Sequence, residues 1–182
     1  VGVGDEVILP SYSCTALLNA IFLTGANPVL VDIDYDCLSC VSSNIEPYIS
    51  SKVKAIIMVH TFGIVNQDVS KLMDFGIPII EDCCQALGCS FNSGQSVGSI
   101  GDFAIFSFYA TKFITGGYGG AVFSKKEEHD LFIRDYINFD MPDSYKPRFN
   151  FQLSDINASI INAQLEQLAY FIEKRKKIDT SY

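Results

Sequence analysis

Two side chains that can do chemistry follow predicted strands of this sequence, thirty positions apart. Asp82 comes directly after the apolar run Ile77–Glu81, and Lys112 follows the run Asp102–Phe108, with the glycine-rich stretch Gly116–Gly120 beyond it. In a doubly wound α/β sheet, ligands collect at the carboxyl ends of the strands. The sequence therefore predicts that a carboxylate and an amine emerge from two strand ends of one sheet.

Three kinds of chemistry fit this pair, and the residues alone leave all three open. The first is an ion pair between charged strand ends. The second is a phosphate cradle for a nucleotide, although Lys112 precedes the glycines instead of closing a GxxxxGK[ST] loop, and GxGxxG is absent. The third is a lysine that binds the aldehyde of pyridoxal 5'-phosphate (PLP), with Asp82 keeping the pyridine nitrogen protonated. This third interpretation uses the most residues, since Gln85 would contact a ring oxygen and Ser107 a phosphate oxygen.

Composition narrows the class of protein. The 182 residues are 48% apolar, and 13 Lys and Arg stand against 21 Asp and Glu, a net charge of −8 that disfavours binding to a nucleic acid polymer. No apolar run approaches the roughly 18 residues of a membrane span, so we expect no membrane association.

Cys37 and Cys40 have CxxC spacing without a matching second pair, so we expect no metal. Reduced cysteines without a secretory signal favour the cytoplasm.

Short β-branched runs alternate with stretches of helical period, which predicts an α/β fold with a mostly parallel sheet flanked by helices. The helices are expected after Ser13 with an end at Gly25, after a Ser43/Glu46 capping box, over 68–75, after a Ser124/Glu127 capping box, and in one stretch from Asp155 onward. The predicted strands are Glu6–Leu9, Pro28–Asp32, Ala55–His60, Ile77–Glu81, Asp102–Phe108 and Gly120–Ser124.

Three polar residues near these strand ends are expected to be structural. His60 and Asp102 each have a ready role in orienting backbone beside a strand terminus. Glu81 precedes Asp82 on the same strand, so strand alternation predicts that the two carboxylates point to opposite faces.

Several blocks of sequence together resemble one family. They are GDEVILPS at 4–11, GANPVLVDID at 25–34, VH at 59–60 with Gly63, IEDCCQ at 80–85, GSIGD at 98–102, FSFYATK at 106–112, and FN at 149–150 before LSD at 153–155. In this order they resemble the DegT/DnrJ/EryC1/StrS family, PLP-dependent aminotransferases of fold type I that act mainly on keto-sugar nucleotides. The similarity covers essentially the whole chain.

The resemblance implies a role for each matching residue. Lys112 would hold the cofactor and move the proton, and Asp82 would pair with the pyridine nitrogen. Gln85 would contact the ring hydroxyl, Ser107 the phosphate, and Asn150 the phosphate of the neighbouring subunit. The resemblance thus implies a homodimer with a shared site, which moves an amino group from an amino acid such as glutamate to a keto-sugar nucleotide for cell-surface polysaccharide or amino-sugar biosynthesis.

Some positions depart from the family pattern. Cys14 stands where many members place an aromatic that stacks on the cofactor ring; Tyr12 could substitute for it, or could pack on its neighbour at the strand end. Tyr118 replaces a common acidic residue and Gln152 a common arginine, both near where substrate specificity would be set.

Family members are also considerably longer than this chain. The resemblance therefore implies that residues 1–182 form the three-layer PLP-binding large domain without the family's N-terminal segment and C-terminal small domain. The alternative is a catalytically inactive fragment or a non-catalytic regulator of the same family.

Overall fold

The computed structural model describes residues 1–140 and 143–181. The chain divides into two compact units, Val1–Phe106 and Ser107–Tyr182. Met141, Pro142 and Tyr182 lie outside the described residues.

The first unit is built on parallel strands. They are β1 (Glu6–Pro10), β2 (Asn27–Val31), β3 (Val53–Val59), β4 (Ile79–Asp82) and β5 (Phe103–Ser107), whose last residue begins the second unit. Their order is β2-β1-β3-β4-β5, and every pair is parallel. Each lies within two residues of its predicted position, so the mostly parallel α/β fold is confirmed.

The core lies on both faces of this sheet, as a parallel sheet covered by helices requires. Ile56 and Met58 of β3 are fully buried in one cluster, and Ile57 and Val59 belong to another. Because successive strand side chains point to opposite faces, the unbroken apolar run of β3 serves both clusters. Packing on both faces therefore fixes the central strands up to the residues at their carboxyl ends.

The helices of the first unit are short. They are α1 (Thr15–Thr24), α2 (Ser42–Ile45) and α3 (Val69–Leu72), and 3-10 turns occupy Glu46–Tyr48, Thr61–Gly63 and Met73–Phe75. Gly25 ends α1 with a φ of +79° and donates its N–H to the Phe22 carbonyl, which confirms the predicted helix end.

The predicted serine caps are wrong. The Ser13 hydroxyl donates to the Pro10 carbonyl at 3.0 Å and caps no N–H of α1, because it serves the turn that leaves β1. Ser43 lies inside α2, where the Asn44 side chain accepts the Val41 N–H instead. Ser124 is the last residue of a strand, three residues before the helix that begins at Glu127.

The second unit contains β6 (Gly120–Ser124), α4 (Glu127–Ile137), α5 (Asp155–Leu165) and α6 (Leu168–Asp179). The single C-terminal helix predicted from Asp155 is therefore wrong, since it is two helices. The break coincides with a tight turn in which the Gln167 N–H donates to the Gln164 carbonyl three residues earlier. Ser154 caps α5, and its hydroxyl accepts the Asn157 N–H at 3.3 Å.

Helix α5 braces the glycine-rich segment that follows Lys112. The Gln164 side chain bonds both the N–H and the carbonyl of Thr115, at 3.2 and 2.6 Å, and the Asn157 amide donates to the Gly116 carbonyl at 2.5 Å. A Cβ on Gly116 would lie 2.9 Å from the Ile161 side chain. Glycine at 116 is thus required by the close approach of the helix.

Across 1–140 and 143–181, none of the helices combines the length and apolar character that crossing a membrane demands.

Candidate functional site

Asp82 ends β4 at the carboxyl edge of the sheet, as predicted. It pairs in register with Val59 of β3 and is 7% exposed. Its Oδ1 accepts the Cys84 N–H at 2.9 Å, and its other oxygen, Oδ2, accepts no hydrogen bond from the described residues. No buried side-chain oxygen of the described residues lacks a hydrogen-bond partner, so Oδ2 reaches the surface of the sheet edge. Oδ2 is therefore open to accept a donor from a ligand.

Gln85 lies exposed three residues beyond Asp82. Its side-chain Oε1 accepts the backbone N–H of Phe62 at 2.9 Å. Because a carboxamide has one oxygen and one NH₂ group, this bond fixes which end is which and leaves the NH₂ to donate elsewhere. Gln85 thus presents donors at the same edge as Asp82.

Tyr12 is also at this edge, in the turn that follows β1. It is 49% exposed, and its ring stands edge-on to Phe62 with centroids 6.2 Å apart. This geometry is within the usual range for an edge-to-face aromatic pair. The structure therefore brings Tyr12, Asp82 and Gln85 to the carboxyl ends of β1 and β4, with Phe62 touching both Tyr12 and Gln85.

Phe62 is a residue that the sequence predictions missed. It has a φ of +55° and lies beside Gly63, at +83°. A left-handed conformation in a non-glycine residue costs about 1–3 kcal/mol and persists only where the surroundings fix it. The sequence signal was the glycine after a strand end, which marks a turn but does not indicate that its neighbour is strained.

Glu81 points away from Asp82, as predicted, and is fully buried. Its Oε2 accepts the His60 Nε2–H at 3.1 Å and the Gly98 N–H at 2.8 Å, while Oε1 accepts the N–H groups of Ile100 and Gly101 at 2.8 and 2.5 Å. One carboxylate thus ties the loop before β5 to the strand that carries Asp82. Strand alternation predicted the direction of the Glu81 side chain but not its hydrogen-bond partners.

These bonds determine the charge of Glu81. Burial alone raises the pKa of a carboxyl group, but the hydrogen bond from His60 and those from the three backbone N–H groups outweigh it, and the pKa of Glu81 lies below its ordinary value. His60 Nδ1 accepts the Asn66 N–H at 3.2 Å, so the proton on Nε2 faces Glu81. The structural role predicted for His60 is confirmed, as is that of Asp102, which accepts the Ile79 N–H.

His60, Glu81 and Cys83 also stand close enough together to hold a metal ion. Four donors already occupy the Glu81 oxygens, which accounts for the closeness of Glu81 to His60 without a metal. Burial, with the Glu81 and Asp82 charges, raises the pKa of the Cys83 thiol, so a thiolate ligand is disfavoured. The cluster therefore fits a structural role.

Lys112 lies in the second unit, in the turn that follows β5. Its N–H donates to the Tyr109 carbonyl at 2.9 Å, and the residue is half-buried. Two residues beyond it Ile114 is fully buried, and the Thr115 hydroxyl donates to the Phe108 carbonyl at 3.1 Å. The lysine is thus carried on an anchored turn and not on a loose loop.

Ser107 and Asn150 meet at one cavity of the second unit. The cavity has a volume of about 610 Å³. Tyr118 and Gln152, the two departures expected near the substrate, line it as well. The full lining is Ser107, Tyr109, Tyr118, Gly119, Gly120, Asn150, Phe151, Gln152 and Leu153. None of these side chains is charged, so only neutral donors face a ligand here.

An ion-pair cluster anchors the segment that leads to Asn150. The Arg148 side chain is 6% exposed and donates to Asp135 at 2.8 Å and to the Ser144 hydroxyl at 2.6 Å. Lys146 also pairs with Asp135, and hydrogen bonds from Lys146 and Arg148 lower the pKa of the Asp135 carboxyl. Asn150 lies two residues after Arg148 of this cluster and is exposed.

The predicted site residues thus fall into two groups, each brought together within its own unit. Tyr12, Asp82 and Gln85 share the sheet edge of the first, and Ser107 and Asn150 share the cavity of the second. Lys112 belongs to the second unit but does not line that cavity. The fold is that of an α/β protein with a parallel sheet, a class in which ligands bind at the carboxyl ends of the strands.

Comparison with known proteins agrees with that class. The chain belongs to the DegT/DnrJ/EryC1/StrS aminotransferase family, whose sequence model matches residues 1–182. It is 35% identical over 97% of its length to a UDP-N-acetyl-3-dehydro-α-D-glucosamine 3-aminotransferase of Acidithiobacillus ferrooxidans, and 34% identical over 98% to GDP-perosamine synthase of Escherichia coli. These alignments cover 50% and 51% of the two relatives, so the chain spans about half the length of the curated relatives it matches.

A solved structure shares the fold. The PLP form of Spr1654 from Streptococcus pneumoniae superposes with a TM-score of 0.86 at 32% identity, over 99% of this chain and 53% of that one. A PMP form of the same protein matches equally well.

Proposed function

We propose that the protein containing this chain is a PLP-dependent aminotransferase that moves an amino group from an amino acid, glutamate, to a keto-sugar nucleotide. The observation that carries the proposal is Asp82, a buried carboxylate at the end of an inner strand with one oxygen left for a ligand. The two relatives named for UDP- and GDP-linked sugars support the substrate class. The product would enter cell-surface polysaccharide or amino-sugar biosynthesis.

The residues of the chain fit PLP. Oδ2 of Asp82 would accept a hydrogen bond from the protonated pyridine nitrogen, and the Gln85 NH₂ would donate to the ring hydroxyl oxygen. PLP when bound supplies an electron sink for the carbon that loses its proton. Asp82 maintains that property because a buried carboxylate keeps the pyridine nitrogen protonated.

Lys112 would carry out two tasks. Its Nζ would attach the cofactor through the aldehyde carbon and, once released, move a proton between the substrate carbon and the cofactor. The anchored turn around Ile114 supports both, because proton transfer needs the amine held within hydrogen-bond reach of the carbon.

Ser107 would hold the phosphate of its own subunit with its hydroxyl. We further propose a homodimer in which Asn150 serves the phosphate of the partner subunit. Its exposure and the ion pairs of Arg148 before it support this, since the amide is available and the segment that leads to it is anchored. Residues 1–182 would form the PLP-binding large domain of the whole protein.

The test uses the full-length protein. PLP should produce a visible absorption band, and reduction with borohydride should fix the cofactor on Lys112, located by peptide mass spectrometry. Lys112→Ala should abolish the adduct and lower transfer from glutamate by at least about 100-fold. Lys126→Ala, an exposed lysine of the same unit, is the matched control. An adduct at another lysine, or no transfer to any UDP-, GDP- or TDP-linked keto sugar, would contradict the proposal.

A further inference from the structure

Phe62 has no role in the site described so far, although it lies within it. Phe62 is 64% exposed, and its ring contacts Tyr12. Large exposed aromatics beside polar groups are typical of ligand sites.

The strand order shows where this aromatic pair lies. The chain passes from β1 to β2 on one side and then crosses to β3 on the other, so the winding direction reverses between β1 and β3. In open α/β sheets the crevice at such a reversal, outside the carboxyl ends, is where ligands bind. Tyr12 follows β1 and Phe62 follows β3, so the two rings flank this crevice.

The backbone of Phe62 serves the same site. With a φ of +55° it directs its N–H to Gln85 Oε1 at 2.9 Å. That bond occupies the Gln85 oxygen and leaves its NH₂ to donate to a ligand at the edge. A strained residue that both orients a ligand donor and exposes its own ring is typical of a binding position.

We propose that Phe62 is a binding residue of the cofactor site, whose ring, with Tyr12, forms the aromatic wall beside the pyridine ring and whose N–H orients Gln85. This rests on the proposed function. Cys14, an exposed thiol at the start of α1, cannot supply such a wall, because it has no flat apolar face. Phe62 lies on β3's carboxyl end, next to the strand that carries Asp82.

The test measures binding of pyridoxamine 5'-phosphate to the full-length protein by titration calorimetry. This probe has no aldehyde, so its affinity does not depend on a covalent bond to Lys112. Phe62→Ala should weaken binding about 3- to 10-fold, the usual effect of one aromatic contact. Phe62→Tyr should retain the affinity of the wild type. Phe22→Ala, which removes a ring of similar exposure (61%) from α1, should bind unchanged.

Phe62→Gly separates the ring from the backbone. Glycine adopts a positive φ without strain, so this variant should fold at least as stably as Phe62→Ala and still bind as weakly. Wild-type affinity in both variants, together with weak binding by Asp82→Asn, would overturn the role of Phe62 and leave the proposed function intact. Failure of the wild-type protein to bind the probe would overturn both.

Discussion

The buried carboxylate of Glu81 gives the sharpest test of how the candidate site is held. In Glu81→Gln an amide replaces a carboxylate of nearly equal volume, so packing is unchanged and only the hydrogen bonding and the charge differ. The amide oxygen can still accept from two donors, the N–H groups of Ile100 and Gly101. Its NH₂ group then faces the other two donors, His60 Nε2–H and the Gly98 N–H.

The expected cost follows from those two unpaired donors. His60 cannot resolve the conflict by moving its proton to Nδ1, because Nδ1 already accepts the Asn66 N–H. A buried donor without an acceptor costs about 1–3 kcal/mol, so two of them should lower the free energy of unfolding by about 2 to 6 kcal/mol. Total stabilities are about 5–15 kcal/mol, so this is a large fraction.

Equilibrium urea unfolding measures the effect as a shift of the midpoint at constant slope. Glu128→Gln is the matched control, since the Glu128 side chain is 74% exposed, and it should change the stability by less than about 0.5 kcal/mol. If Glu81→Gln were as mild as this control, the Glu81 hydrogen bonds would not support the edge that carries Asp82, and the reasoning would be refuted.

The remaining predictions concern acidity, thiols and two local contacts. Because the pKa of Glu81 is lowered on folding, its contribution should be complete above its ordinary pKa of 4.5 and lost as the pH falls through the folded-state value; Glu81→Gln should flatten that part of the stability–pH curve. Iodoacetamide should modify exposed Cys14 in the native protein and buried Cys83 only after unfolding, as peptide mapping would show. Gly116→Ala should lower the thermal midpoint, at a cost of about 1–3 kcal/mol, because its Cβ would crowd α5. Ser154→Ala should cost about 1 kcal/mol through the lost cap, and equal stability to the wild type would contradict that role.

The sequence predicted the strands well because a buried parallel strand is a local signal. A short apolar, β-branched run such as that of β3 is typical of a parallel strand that is buried on both faces of its sheet, and few other structures bury such a run. Residues directly after such strands were then correctly placed at the carboxyl edge, as Asp82 shows.

Interactions between distant residues escaped prediction. The positive φ of Phe62 depends on an acceptor from Gln85, 23 residues away in sequence, and nothing local requires it. Ser13 was predicted to cap a helix, but serine hydroxyls form hydrogen bonds both in helix caps and in turns at strand ends. In the structure the Ser13 hydroxyl donates to the preceding carbonyl of Pro10 instead. The break between α5 and α6 also has no proline or glycine to mark it.

The amide braces from α5 have a consequence for the order in which the protein forms on the ribosome. The backbone N–H and carbonyl of Thr115, three residues after Lys112, are both bonded by the side chain of Gln164, 49 residues later in the chain. During synthesis the strands β1 to β4, with Asp82, leave the ribosome well before that helix exists, and domains generally fold from the N-terminal side as they emerge. The carboxylate edge can therefore be in place early, while the lysine turn must wait for α5.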